Sequence, residues 1–500
     1  MATRKTKRKS KARAARRVSG VGVRPLLRAG FDAAQTTADN RRHWANADAL
    51  SADASLLPYV RRTLRMRARY EVANNSWARG ILLTLANHLI GTGPRLQIRT
   101  QRKEMNRLLE RDWKRWARRI GLAMKLRTIR LAKAQDGEAF ALERTNAGLG
   151  LDVQLDLALV EADRVTTPDL AVGTKDAVDG IRFDADGNPE EYHVLKAHPG
   201  GLAMLMPNDY DRVSARFVFH WFRADRPEQH RGVSELVPAL DLFADLRRYT
   251  AAVVAAAETA AEFAGFMKTT APPSGEADEV DPMATMEIEK RMFGALPMGW
   301  EAQQMRPEQP AATHEQFVRV TLNEIARCMN MPLNVAMCNS ERLSYAGGSL
   351  DQQTYFQAIE VERSDVEAVV LDPLLEDWLD EELRVSRGVA VGPEVRAEIL
   401  AEIAADHEWL WDGFEHVDPY KEAHAAAVLA EKGLLTEAEY CGRMGYDWEE
   451  RHEQLAREAE SRREKNLPAL IAAGSISPDP NAADDDEPAN RRGGRDAVSE

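Results

Sequence analysis

The residues best placed to do chemistry are four acids, Asp152, Asp156, Glu161 and Asp163. Carboxylates gathered at strand ends can hold two divalent metals and cleave a phosphodiester. Here Asp152 and Asp156 alternate with apolar neighbours, which a half-buried strand requires with no metal at all. His407-Glu408 lacks a second His four residues on, so a helical zinc pair is incomplete. Asp184 to Pro189 matches a calcium loop only at its first three ligand positions and reads as a hairpin turn. Glu381-Glu382 reads as a solvated helix face. Cys328, Cys338 and Cys441 are too scattered for a disulfide framework or a CxxC site, and suit a reducing environment. No G-x-x-x-x-G-K-S/T phosphate loop, H-E-x-x-H, G-x-S-x-G or strand–GxGxxG–helix unit occurs. The sequence therefore predicts no catalytic residue, no metal and no cofactor, and an ATP-driven motor is excluded.

What must be positioned is then a scaffold. The chain has 500 residues, enough for several domains, and is 44% hydrophobic with a net charge of −12. No apolar run reaches the roughly 18–20 residues of a membrane span, and the basic start has no apolar core of a secretory signal. The charge is uneven. Nine Lys and Arg and no acid lie in the first 20 residues, Arg61, Arg62, Arg65, Arg67 and Arg69 follow, and acids gather toward the C-terminus. An acidic chain is a poor DNA-coating protein, because duplex affinity comes from phosphate neutralisation, but a few local cations still suffice for contact.

Periodicity predicts two helices over 59–90 with a break at Asn74-Asn75, a strand at Arg95–Thr100, and a helix at Gln101–Arg119. Short strands follow at Ala139–Arg144, Val153–Val160, Gly180–Phe183, Glu191–Leu195 and Arg216–Phe222. Ser234 reads as the N-cap of a long, Ala-rich helix to Phe263. Residues 271–312 are broken by Pro and Gly, and a helix returns at His314–Met329. Asn330–Gly348 reads as a loop, Ser349–Arg384 as a helix interrupted near Pro373, and Pro393–Lys465 as helical with Gly433 and Gly445 as stops. Both termini, 1–25 and 466–500, have the composition of disordered tails. The fold class is α+β, predominantly helical.

Several segments, taken in order, resemble the portal proteins of lambda-type tailed bacteriophages. They are Asn74-Asn75-Ser76-Trp77-Ala78 with Ile90-Gly91-Thr92-Gly93-Pro94, then Leu159-Val160-Glu161-Ala162-Asp163-Arg164. Phe219-His220-Trp221-Phe222 with Arg226 to Ser234 follows, and finally Trp411-Asp412-Gly413, Val417 to Ala423 and Gly445-Tyr446-Asp447. Tyr345-Ala346-Gly347-Gly348 departs from the Tyr-Ser-Ser frequent in that family.

The resemblance implies a portal fold assembled as a ring of about twelve subunits around a channel for double-stranded DNA. It implies a wing at 26–233, a first stem helix at 234–265, a clip at 266–312 and a second stem helix at 313–330. A tunnel loop at 331–348, a tunnel/wing helix at 349–392 and a crown at 393–465 complete the plan. Implied partners are the terminase large subunit, head-completion (connector) proteins, and the major capsid and scaffold proteins, at the portal vertex of a virion assembled in the bacterial cytoplasm, with no membrane. In a ring, one cation per subunit becomes a circle of cations. Arg342, with Asn339 and Ser340 beside it, is thus the expected contact to DNA phosphates, gripping without reading sequence. Two other classes compete. A metal-dependent nuclease such as a terminase would use the four acids above, and a capsid or scaffold protein would form shells without a channel.

Overall fold

Pro58 opens the first long helix because its missing N–H falls where no helical partner exists. In the computed structural model this helix, α2 (Pro58–Asn74), follows a single turn, α1 (Ala52–Ser55). The structure describes residues 37–167, 176–201, 209–262, 266–269, 300–303, 314–341, 344–386, 388–414 and 418–468. Residues up to Ser51 form a unit of their own, described from Thr37, in which Thr37 and Asn40 exchange side chain–backbone hydrogen bonds. All that follows concerns the unit from Ala52 onward.

The break at the Asn pair is real. Asn75 leaves the helical region, and its side chain accepts the Trp77 N–H to start α3 (Ser76–Ile90). Ile81, Leu82, Leu85 and Leu89 of α3 are buried at helical spacing. β1 (Arg95–Ile98) leads to α4 (Lys103–Ile120), whose Leu109, Trp113, Trp116 and Ile120 recur every three or four residues and face the core. α5 (Leu122–Asp136) follows at once.

Two sheets complete this half. β2 (Glu138–Thr145) lies between β3 (Leu155–Val160) and β8 (Val218–Phe222), antiparallel to both. β4 (Ala177–Val178), β5 (Ile181–Phe183), β6 (Pro189–Leu195) and β7 (Tyr210–Ser214) form a meander in that order. Phe140, Val160, Val165, Ile181, Tyr192 and Val194 fill a second, small core there. Asp184 to Pro189 is the expected hairpin turn: Asp184 Oδ1 accepts the Asp186 and Asn188 N–H groups.

The helical half runs α6 (Leu240–Glu262), a strand pair β9 (Phe266–Thr269) and β10 (Trp300–Gln303), α7 (His314–Cys328) and α8 (Leu333–Met337). Then come α9 (Tyr345–Val366), a π-helical turn at Glu367–Leu371 and α10 (Asp372–Val385), one continuous helix in which the π-helical turn immediately precedes Pro373, whose missing N–H disturbs the regular ladder. α11 (Pro393–Ala405), β11 (His407–Leu410), α12 (Pro419–Glu431), α13 (Glu437–Arg443) and α14 (Trp448–Glu464) finish the described chain. Among the described residues no helix is long and apolar enough to cross a membrane.

Several expectations need correction. The stretch after Pro393 is not all helix: β11 pairs antiparallel with β1, Ile98 opposite His407. The 330–348 segment contains α8 and the first turn of α9. Ser234 is no N-cap of α6. Its hydroxyl donates to the Ala134 carbonyl, and a 3-10 turn at Val237–Ala239 separates it from the helix. Glu381-Glu382 is not a solvated face: Glu382 is buried, and Glu381 accepts the Gln154 and Leu155 N–H groups at 2.8 and 3.2 Å. Most of 271–312, the N-terminal arm and the acid-rich tail lie outside the described residues.

Where α10 meets β2, burial and the adjacent Asp377 push the Glu143 carboxyl up to about 8. A carboxyl raised above its unfolded value of 4.5 loses folding free energy as pH climbs from there to about 8, and the whole penalty stands above that. Glu143→Gln is therefore expected to raise the unfolding temperature at pH 9 and leave it nearly unchanged at pH 5. The gain, after discounting for partial solvent screening, is of the order of ~1 kcal/mol. Thermal melts of both proteins at the two pH values check this.

Candidate functional site

The residues expected to touch DNA sit between α8 and α9. Cys338 closes α8 in a left-handed conformation at φ +52°, and Asn339, Ser340 and Glu341 are exposed beyond it. Asn339 Oδ1 accepts the Glu341 N–H at 2.9 Å, so the Asn supports the turn as well as facing solvent. Ser344 then caps α9 by accepting the Gly347 N–H. Arg342 itself lies outside the described residues. The geometry thus gives an exposed turn carrying Asn339 and Ser340, with Arg342 following in sequence.

α9 is fixed to the helices beneath by four charges, three buried and one half-buried, that sequence reading did not find. Arg130 and Lys133 of α5 both reach Glu235, at 2.9 and 3.1 Å, and Glu362 of α9, at 2.8 and 3.4 Å. Both cations are almost fully buried, and Lys133 also sits 4.6 Å from the centre of the Trp221 ring. Although burial opposes ionisation, Arg130 and Lys133 hold the Glu235 carboxyl down at about 2. Further along, Tyr355 lies 3.1 Å from His88 Nδ1, and Phe356 stacks on Phe414 at 3.8 Å between centroids. Arg363 donates to the carbonyls of His88, Leu89 and Asp412, closing the C-terminal end of α3.

A second buried charge cluster accounts for the run Arg61, Arg65 and Arg69. These three arginines line the inner side of α2, while Arg62 and Arg67 remain exposed. Glu138, fully buried at the start of β2, takes Arg61, Arg65 and the fork of Arg231 at 3.2, 3.1 and 2.7 Å. His220 Nε2 lies 3.2 Å from its other oxygen. Burial alone would push the Glu138 carboxyl up, but Arg231, His220 and Arg61 together hold it well below the usual range. Asp163 pairs with Arg65 and Arg69, Asp136 with Arg69, and Asp179 with Arg61.

This explains the quoted motifs physically. Arg231 and Gly232 belong to the Arg226–Ser234 segment, and Gly232 also donates its N–H to Glu138. A Cβ on Gly232 would collide with the Gly137 carbonyl, and Gly137, at φ +93°, faces the Val233 backbone equally closely. In the same way Asp412 of the Trp411-Asp412-Gly413 segment accepts from the Thr92 N–H and hydroxyl of the Gly91–Pro94 turn. The segments therefore join distant parts of the fold.

Two of the four acids of the nuclease reading, Asp156 and Asp163, are committed to ion pairs, while Asp152 and Glu161 are exposed. Asp156 pairs with Lys125 and Arg144, and these bonds outweigh burial to hold it at about 2. Among the described residues the group that could hold a metal is Glu161, Asp163 and His198. There Arg69 already lies 2.7 Å from Asp163, and its charge opposes a cation at that point.

Comparison with known proteins places this architecture. A family model described as "Phage portal protein, lambda family" matches residues 38–350. The probable portal protein of Halomonas phage phiHAP-1 is 24% identical, over 93% of both chains. Portal protein B of Escherichia phage lambda is 22% identical over 86% of this chain and 90% of its own. Among solved structures, the neck of an empty gene transfer agent particle computed with C6 symmetry is 15% identical, covers 80% of this chain and 93% of its own, and has a TM-score of 0.42. The chain belongs to the lambda family of phage portal proteins.

Proposed function

We propose that this chain carries out its portal function as one subunit of a ring of about twelve, with the turn after α8 facing the DNA. The observation that carries this is the pairing of an exposed polar turn, Cys338–Glu341, with a helix, α9, clamped by buried ion pairs to the body of the subunit. A mobile duplex needs contacts that are shallow and sequence-blind on supports that do not yield. Arg342 supplies the cation, and Asn339 and Ser340 supply neutral hydrogen-bonding groups. Repeated around a ring, single cations grip phosphate while the net negative chain limits sticking.

In the same reading, the half from α2 to β8 serves as wing, α6 and α7 as stem, and the segment between them, including β9 and β10, as clip. The clip would dock the terminase large subunit during packaging and head-completion proteins afterwards. The wing would meet the major capsid and scaffold proteins at the portal vertex of the virion, after assembly in the host cytoplasm.

Negative-stain microscopy of purified protein, with mass photometry, is expected to show rings of about twelve with an axial hole. A closed shell without a channel would sink the proposal. Once rings are in hand, Arg342→Ala is expected to leave ring formation intact and reduce DNA packaged per particle at least about threefold, the scale of losing a phosphate contact. Unchanged packaging would remove Arg342 from the channel role.

A further inference from the structure

α2 carries an apolar stripe on its outer side that the described residues leave largely open. Tyr59, Met66 and Tyr70 are each more than half exposed. Their spacing of seven and four residues puts them on one face, with the exposed Arg62 between them. α7 has a face of the same kind. Val320 is more than half exposed and Phe317 nearly half. Beside them an open cleft of about 650 Å3 is lined in part by Glu315, Gln316, Arg319, Val320, Glu324 and Leu333 of α7 and α8. Aromatic residues, Met and Arg are the types enriched where proteins meet.

The two faces lie on opposite flanks of α6, which packs against both helices. Arg247 of α6 stands over the Tyr70 ring at 5.4 Å. Tyr249 instead meets the Phe317 ring at 4.4 Å, and its hydroxyl lies 3.3 Å from His314 Nδ1. Positions two apart on a helix differ by about 200°, so Arg247 and Tyr249 leave α6 in nearly opposite directions. A ring joins each subunit to the next through two different surfaces, whereas a two-fold dimer uses one surface twice. Two unlike faces on opposite flanks fit the first case. Charge fits as well. Among the described residues Arg62 and Glu324 form no ion pair, and the cleft sets two acids, Glu315 and Glu324, against one arginine, Arg319.

We propose that the α2 stripe of one subunit seats on the α7–α8 cleft of the next copy, Met66 on Val320, with the two helices antiparallel. Charge sets the orientation. Arg62 lies four residues before Met66 and Glu324 four after Val320, so an antiparallel course brings these two unpaired charges together. A parallel course would set Arg62 against Gln316 and Glu324 beside Tyr70. The inference rests on the ring reading and adds to it which surfaces join. It does not depend on Arg342. Each subunit makes the contact twice, once through each face, so a change on either surface acts at every junction of the ring.

A benzophenone side chain introduced in place of Met66 couples on illumination only to what it touches. In assembled rings it is expected to join the tryptic peptide Val320–Arg327 of another chain, giving products on a denaturing gel that extend beyond two chains. Coupling to α2 of another chain, with products that stop at two, means a two-fold contact and overturns the inference, as does coupling within one chain only. Rings seen by microscopy without coupling to α7 overturn it and leave the ring reading standing. Folded protein with neither rings nor coupling overturns both. Charge reversal gives a second readout without added bulk. Arg62→Glu or Glu324→Arg alone is expected to raise the concentration at which half the chain is in rings at least about threefold, read by mass photometry. The double variant Arg62→Glu/Glu324→Arg is expected to return to within about twofold of wild type. Both positions are exposed on helix faces, so the subunit itself stays folded, which circular dichroism checks. Single reversals without effect, or a double variant no better than the worse single one, overturn the pairing.

Discussion

Replacing Glu138 by Gln is expected to cost about 3–5 kcal/mol of stability, because it leaves buried arginines without their acid. Glu138 has no exposed surface and answers Arg61, Arg65 and Arg231 at once, with His220 against its second oxygen. An amide keeps the shape and can still accept, but it carries no charge and adds two donors facing donors. Urea unfolding monitored by circular dichroism should show the loss as a lower midpoint with an unchanged slope. Combining Glu138→Gln with Arg231→Met should cost clearly less than the two changes added, since the second removes part of the charge the first has stranded. Simple additivity would mean that the cluster does not act as a unit. The pH dependence has a definite sign. A carboxyl held well below its unfolded value of 4.5 contributes fully above that pH, and the contribution fades as pH falls toward the folded value. Wild type should therefore lose stability in acid more steeply than Glu138→Gln.

The second large effect is expected at Trp378. It is completely buried on α10, with its ring 5.2 Å from Trp113 and 6.0 Å from Trp116 of α4, while Trp409 of β11 packs on Trp113 at 5.4 Å. These rings join α4, α10 and the β1–β11 pair. Trp378→Ala opens a cavity that the surrounding rings cannot fill, at a cost of about 3–5 kcal/mol. Trp378→Phe should cost much less, because most of the volume remains. Comparing unfolding midpoints of the two variants tests whether packing, rather than the indole N–H, is what matters. The indole N–H of Trp378 has no hydrogen-bond partner among the described residues, so equal losses would overturn the packing account.

The local features of this fold were readable in the sequence. The Asn74-Asn75 break, the apolar spacing of Leu109, Trp113 and Trp116, and the Asp184 turn each rest on residues within a few positions of one another. What depended on distant partners was not readable. Arg61, Arg65 and Arg69 showed only as basic residues in an uneven charge distribution, because Glu138, Asp163 and Asp179 lie roughly 70–120 residues away. Glu382 looked exposed for the same reason. β11 has only four residues after a helix, too few for an alternating pattern to declare itself, and its partner β1 is near the other end of the chain. α5 was missed because its buried face mixes Leu126 and Ile129 with Arg130 and Lys133, so charge masked the apolar period. The candidate DNA turn was placed by resemblance. Local pattern gave only a loop, within which Pro332 and Cys338 bound the short helix α8.

The pairing of β1 with β11 also sets a timetable for synthesis. Residues 95–98 leave the ribosome about 300 residues before 407–410, a gap of roughly 15–60 s at 5–20 residues per second. Through that interval Leu96 and Ile98 stand on an open strand edge with no backbone partner, the kind of edge that recruits other nascent chains. A chaperone that shields residues near β1 should therefore raise the soluble yield more than one acting on the finished chain, and a messenger read slowly between those two points should lower it.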